Sequence, residues 1–183
     1  MPVRALLLAV AGAVGLVLSA SPAAAADIAT ISCVRDQTLP ASIEALLESA
    51  RQAARGQSGA RTPDTLRNDL YDAARKCQKL HGWSETAAEA AAKYTFVALR
   101  LEAMRPIAEG MGIQYGNVTA SLAAMTQSER DALLTGDQDG LLALLRELGR
   151  RGLTSDPKTG ELYGRLAALT VLLEQCRKDF VAN

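Results

Sequence analysis

The residues with the clearest chemical potential are Cys77 and His81, which lie four positions apart. In an α-helix this spacing places two side chains on one face. A thiolate beside an imidazole can act as a nucleophile with its base, or the two can bind a metal ion. The nearest candidates for a third group are Asp72 and Glu85, but the sequence does not fix either of them there. We therefore favour a structural role for both residues, and keep the pair as the catalytic or metal-binding alternative.

A second pattern, residues 135–146, resembles an EF-hand calcium loop, with oxygen-bearing side chains at its first, third and fifth positions and Gly140 at its sixth. The twelfth position of such a loop carries a bidentate carboxylate, and here it is Arg146. A cation in that place removes the main calcium ligand. We therefore interpret the segment as a turn between two helices, with Asp137 or Asp139 as the N-cap, and predict no cofactor.

The motifs of common enzyme classes are missing from the sequence, which has no CxxC, CxxCH, G-x-S-x-G, H-E-x-x-H or glycine-rich phosphate loop. Basic and acidic residues number 20 each, and this balance does not favour nucleic acid as a partner. We therefore expect a non-enzymatic binding or interaction protein, such as an adaptor, inhibitor, immunity factor or chaperone-like protein, whose partner is another periplasmic or envelope protein. A further alternative is a helical carrier of a small apolar ligand, lined by Met104, Met111 and Met125.

Residues 1–26 have the pattern of a secretory signal peptide. Arg4 provides the positive start, residues 5–19 are mostly apolar without an acidic residue, and Ser21 and Pro22 precede the alanines at 23–26. This order is typical of a leader that ends in an A-x-A site, so we expect cleavage after Ala26. The apolar stretch is shorter than the roughly 20 residues that a membrane-spanning helix needs. We therefore predict a protein of the periplasm or the cell exterior that does not span a membrane.

The chain has three cysteines, Cys33, Cys77 and Cys176. In an oxidising compartment disulfides persist, and one of the three must stay unpaired or bind another molecule. If the first two helices form an antiparallel hairpin, the segment before the first helix lies beside the end of the second, which brings Cys33 towards Cys77. We therefore predict a Cys33–Cys77 disulfide, with Cys33–Cys176 as the alternative.

Hydrophobic periodicity predicts an all-α fold for residues 27–183, a single-domain bundle of about six helices with short connections. Residues 27–40 show no helical period, so we interpret them as an N-terminal arm held by Cys33. Apolar residues at helical spacing then follow from Ala41 to the break at Gly56. Further helix starts are indicated at Thr62, Ser84, Thr126, Asp137 or Asp139, and Ser155, with a short apolar pattern at Val118, Leu122 and Met125.

Two of these helices have distinctive faces. The second helix shows an apolar face of Leu66, Leu70, Ala73, Cys77 and Leu80. The third is apolar on nearly every side over residues 87–101, which predicts the central helix of the bundle, and Pro106 should end or kink it.

Overall fold

The computed structural model describes residues 25–57, 63–153 and 156–183. The predicted signal peptide, apart from its last two residues, lies outside these ranges, as do Thr62 and Ser155. The all-helical prediction is confirmed, with eight α-helices and one 3-10 turn, Ile28–Thr30, among the described residues. The helices are α1 Cys33–Gln37, α2 Pro40–Ala54, α3 Asp64–His81, α4 Glu85–Gly110, α5 Tyr115–Ala124, α6 Gln127–Thr135, α7 Gln138–Arg150 and α8 Pro157–Val181.

The helix count exceeds the prediction of about six, and the arm at 27–40 accounts for part of the difference. This segment is not an irregular arm, because it holds the 3-10 turn and α1. A helix of five residues is too short to display a hydrophobic period and is marginal by itself in water. Contacts with α3 and α4 stabilise it, through Cys33 and through an ion pair of Arg35 with Glu102.

The central position of α4 is confirmed, since it packs against α2, α3 and α8. Pro106 does not end this helix, which continues to Gly110. The proline removes one N–H donor from the helical ladder. Met104 and Ala108, on either side of it, are both almost fully buried, so the packing of α4 keeps the chain helical beyond the proline.

Two hydrophobic clusters share α4. One lies among α1, α2, α3 and α4 as far as Ala103, and the other lies among α4 from Val97 onward and α5 to α8. Trp83 belongs to the first cluster, where it meets Phe180 of α8 edge to face at 4.9 Å between ring centroids. Its indole N–H donates to the Thr30 hydroxyl at 3.1 Å. Residues near the two ends of the described part of the chain are therefore joined through this tryptophan.

Leu80 was predicted on the apolar face of α3, but it is 67% exposed. The helix ends one residue later, and Gly82 turns the chain with φ 69°. Trp83 is 7% exposed and supplies the apolar side chain at this end of the helix. The core face of α3 therefore stops at Cys77.

The predicted helix starts agree with the structure at three places. Ser84 accepts a hydrogen bond from the Ala87 N–H, Thr126 and Glu129 form a complete capping box, and Asp137 accepts from the Asp139 N–H. At α3 the first helical residue is Asp64, and Pro63 occupies the N-cap position. No helix within the described ranges combines the length and the apolar character needed to cross a membrane.

Candidate functional site

The sulfurs of Cys33 and Cys77 lie at disulfide distance, with 2.12 Å between the Sγ atoms and 6.0 Å between the Cα atoms. This is the pair that the sequence favoured, and the alternative Cys33–Cys176 pair is not formed. Both residues are buried, Cys77 completely. In the disulfide Cys77 has no thiol, so it lacks the group that a nucleophile or a metal ligand requires.

His81 lies exposed at the end of α3 and stacks on Trp83, with 5.3 Å between ring centroids. Of the two candidate third groups, Asp72 forms an ion pair with Arg75, and Glu85 is exposed in the first turn of α4. Within the described part of the chain, no three His, Cys, Asp or Glu side chains are grouped to hold a metal ion. The residues around Cys77 and His81 therefore form no catalytic constellation in this structure.

Cys176 carries the free thiol and is 3% exposed on α8. Burial, and then the negative charge of Asp179, raise the pKa of this thiol, while Lys93 acts in the opposite direction. A thiol with a raised pKa stays protonated at neutral pH and reacts slowly. Cys176 is therefore a core residue with little nucleophilic character.

The segment that resembles a calcium loop is a helix-to-helix turn. Gly136, with φ 72°, ends α6, and Asp137 caps α7 by accepting from the Asp139 N–H at 3.1 Å. Arg146 pairs with Glu129 at 3.6 Å, so it serves the contact between α6 and α7. The turn consists of Gly136 and Asp137, and residues 138–146 belong to α7, which agrees with the predicted turn between two helices capped by Asp137.

The methionines of the carrier hypothesis do not form a lining. Met104 and Met125 are 1% and 5% exposed within the second hydrophobic cluster, whereas Met111 is 42% exposed. Two of the three are enclosed by packed side chains, and Met111 lines a cavity of about 490 Å³ beside Ile107 and Leu162. The three methionines therefore share no single surface, and a surface where apolar and charged side chains meet lies elsewhere on the molecule.

Such a surface is a groove of about 440 Å³ between α3, α4 and α8, which we call the Arg100 groove. Ala92 is one of the residues that line it, and its small side chain leaves space between longer neighbours. The apolar lining, which we call the apolar floor, consists of Leu70, Tyr71, Ala92, Phe96, Val97 and Leu172. Leu70, Ala92 and Val97 are buried, and the rings of Tyr71 and Phe96 are half-buried. Leu172 is 37% exposed at the edge of the groove.

Helical spacing explains why these residues share one surface. On α4 the lining residues fall at positions 92, 93, 96, 97 and 100, and on α3 at 64, 67, 70 and 71. Steps of three and four keep side chains on one side of a helix. No Ser, Thr, Cys or His belongs to this described lining, and its titratable side chains are those of Asp64, Arg67, Tyr71, Lys93 and Arg100.

The charged residues of the groove differ in their partners. Arg67 pairs with Asp64 at 3.7 Å and Lys93 with Glu89 at 3.9 Å, and all four side chains are more than half exposed. Arg100 is half-buried, and its guanidinium carbon lies 5.5 Å from the centre of the Phe96 ring.

No carboxylate in the described part of the chain forms an ion pair with Arg100. Among the described residues its guanidinium forms no ion pair, and its buried Nε atom has no hydrogen-bond partner. Burial, and then the positive charge of Arg165, lower the pKa of Arg100. An arginine nevertheless stays protonated in proteins. A positive charge without a counter-charge is therefore held beside an apolar floor.

The sequence did not predict this site. In the sequence, Arg100 is one of a few charged residues on a nearly apolar helix, and a solvated or ion-paired arginine shows the same pattern. No protein-family model matches this chain, and no curated protein or solved structure matches it either. The groove, the disulfide and the charges around Arg100 are the observations that bear on function.

Proposed function

We propose that this chain is an exported, non-enzymatic binding protein that takes a small ligand in the Arg100 groove. The observation that carries the proposal is the combination of an apolar floor with a half-buried guanidinium that has no carboxylate partner among the described residues. Binding sites for small molecules are mostly apolar with a few placed polar groups, and they enclose roughly 300–1,000 Å³. The groove has this composition and size.

Export is supported by the cysteines. Disulfides persist in oxidising compartments and are rare in reducing ones. A bridge between Cys33 and Cys77 therefore fits a protein of the periplasm or the cell exterior. The sequence also predicts a periplasmic or envelope protein as a partner, and this stays a prediction.

The proposal is tested by NMR on the ¹⁵N-labelled protein purified from the periplasm of a bacterial host. Neutral, cationic and anionic small molecules are titrated as three separate sets. We expect at least one set to shift amide signals confined to the facing turns of α3, α4 and α8. The proposal is overturned if no set shifts these signals, or if the shifts lie on other helices.

A blocking variant sharpens this test. Leu172→Trp places a large side chain at the edge of the groove, where the native leucine is 37% exposed. Leu142→Trp is the matched control, since Leu142 is 48% exposed on α7 and does not line the groove. Binding should be lost in the first variant and kept in the second. Equal binding by both variants would place the ligand elsewhere.

A further inference from the structure

We infer that the ligand of the Arg100 groove is an amphipathic monocarboxylate, with its carboxylate on the Arg100 guanidinium and its apolar part against Tyr71, Phe96 and Leu172. This inference rests on the proposed function and names the class of ligand. Neither the guanidinium nor the apolar floor is sufficient alone, and their adjacency specifies a molecule with two different ends.

The charge of the ligand follows from the ion pairs around the groove. Arg67 and Lys93 each have a carboxylate of their own, Asp64 and Glu89 respectively. Of the three cationic residues that line the groove, only Arg100 has no carboxylate partner among the described residues. One uncompensated positive charge is neutralised by one negative charge, which favours a carboxylate over a doubly charged phosphate monoester.

The shape of the head group follows from the guanidinium. It presents its N–H donors in a planar fork that matches the two oxygens of a carboxylate. The Nε of Arg100 is enclosed and lacks an acceptor. A charge-assisted hydrogen bond in a partly desolvated site is stronger than the same bond in water. An amide or alcohol head group would supply an acceptor but no negative charge.

The apolar part of the ligand follows from the floor. The Phe96 ring lies next to the guanidinium, and Tyr71 and Leu172 add apolar surface to the same groove. Burial of apolar area supplies binding free energy in proportion to the area removed from water. Acetate would reach Arg100 but leave this surface hydrated, so we expect a longer acid to bind and acetate to fail.

Isothermal titration calorimetry of the whole protein with five probes tests this inference. Octanoate should bind, octanamide should bind at least about tenfold more weakly, and octylammonium and acetate should not bind measurably. Octyl phosphate should bind no more tightly than octanoate. Tighter binding of the phosphate, or equal binding of octanoate and octanamide, overturns the assignment of a monocarboxylate.

Substitution of the arginine locates the head group. Arg100→Gln should weaken octanoate about tenfold to one-hundredfold, the usual effect of losing a hydrogen bond to a charged group, and leave octanamide nearly unchanged. Arg177→Gln is the matched control, because it removes the same charge from an exposed position on α8. It should change octanoate binding less than about twofold. Equal losses in both variants would reduce the effect to general electrostatics and overturn the inference.

The two levels of the proposal fail differently. If octanoate and octanamide bind equally and Leu172→Trp blocks both, the groove is a binding site and only the carboxylate assignment is wrong. If no small molecule shifts the NMR signals of the groove amides, both the proposed function and the carboxylate assignment are wrong. Arg100→Gln removes an unpaired, half-buried charge, so we expect the thermal midpoint of the free protein not to fall, and a loss of binding then reports on the ligand contact.

Discussion

At Gly140 any side chain would collide with the backbone of α6 unless the helices moved apart. It lies in the first turn of α7, where this helix passes the end of α6. A Cβ atom at this position would lie 2.5 Å from the backbone N of Leu133 and 2.7 Å from the carbonyl carbon of Ala132. Backbone atoms cannot rotate away as a flexible side chain can. The glycine is therefore needed for the close approach of two helices, and its place in a calcium-like pattern is incidental.

We predict that Gly140→Ala lowers the free energy of unfolding by about 1–3 kcal/mol, because the added methyl group forces α6 and α7 apart. Gly149→Ala is the matched control on the same helix, since a Cβ there meets nothing within 4 Å. Alanine is the better helix former, so the control should be neutral or stabilising by up to about 1 kcal/mol. Urea unfolding followed by circular dichroism measures both changes. Equal stability of the two variants would contradict the close approach.

At the scale of the element, α1 shows how a short helix depends on its neighbours. Arg35 donates two hydrogen bonds to the Glu102 carboxylate on α4, at 2.6 and 3.1 Å. The hydrogen bonds from Arg35 lower the pKa of Glu102, and burial acts in the opposite direction. Both side chains are nearly half exposed, so solvent screens the pair. Its contribution to stability is therefore about 1 kcal/mol or less.

This pair should make part of the stability depend on pH. The folded protein holds the pKa of Glu102 below its unfolded value, so the contribution is fully present above the ordinary pKa of a glutamate. It is lost as the pH falls through the lowered pKa. We predict that Glu102→Gln is less stable than the native protein at neutral pH and that the difference disappears in acid.

Urea unfolding at a series of pH values measures this difference. Glu174→Gln is the control, because Glu174 is exposed on α8 and no ion pair is described for it. Its difference from the native protein should stay flat over the same range. If the Glu102 difference were also flat, the link between α1 and α4 would not depend on the ionised carboxylate.

At the scale of the whole molecule, the disulfide joins the beginning of the described chain to α3. Cys33 and Cys77 are 44 residues apart in sequence. Closing a loop of this length restricts the unfolded chain and stabilises the folded protein by roughly 4 kcal/mol in the chain-entropy model. Phe180 of α8 lies in the same hydrophobic cluster, so the bridge stabilises the region in which Phe180 packs together with the beginning of the described chain.

We predict that the double variant Cys33→Ala, Cys77→Ala loses about 3–4 kcal/mol of unfolding free energy. A reductant should destabilise the native protein and leave the double variant unchanged, which separates the bond from the side chains. Peptide mapping without reduction, after alkylation in denaturant, should yield a cross-linked Cys33–Cys77 peptide and alkylated Cys176. Alkylation of Cys77 in the folded protein would contradict this result and restore Cys77 and His81 as candidate catalytic residues.

The sequence by itself determined the features that depend on near neighbours. The all-helical class follows from apolar residues that recur every three to four positions. The capping residues Ser84, Thr126 and Asp137 were recognisable because a cap bonds to backbone groups two or three residues away. The Cys33–Cys77 pair was favoured for a similar reason, since a hairpin of two adjacent helices brings them together.

Only the tertiary structure decided the features that join distant parts of the chain. The five-residue helix α1 has no period of its own and depends on contacts with α3 and α4. The exposure of Leu80 could not be predicted from its spacing, because the turn at Gly82 places Trp83 in the core instead. The Arg100 groove combines residues of α3, α4 and α8, and only their packing decides whether a carboxylate meets the guanidinium. Local signals specify elements, whereas the absence of a partner is a property of everything that surrounds a residue.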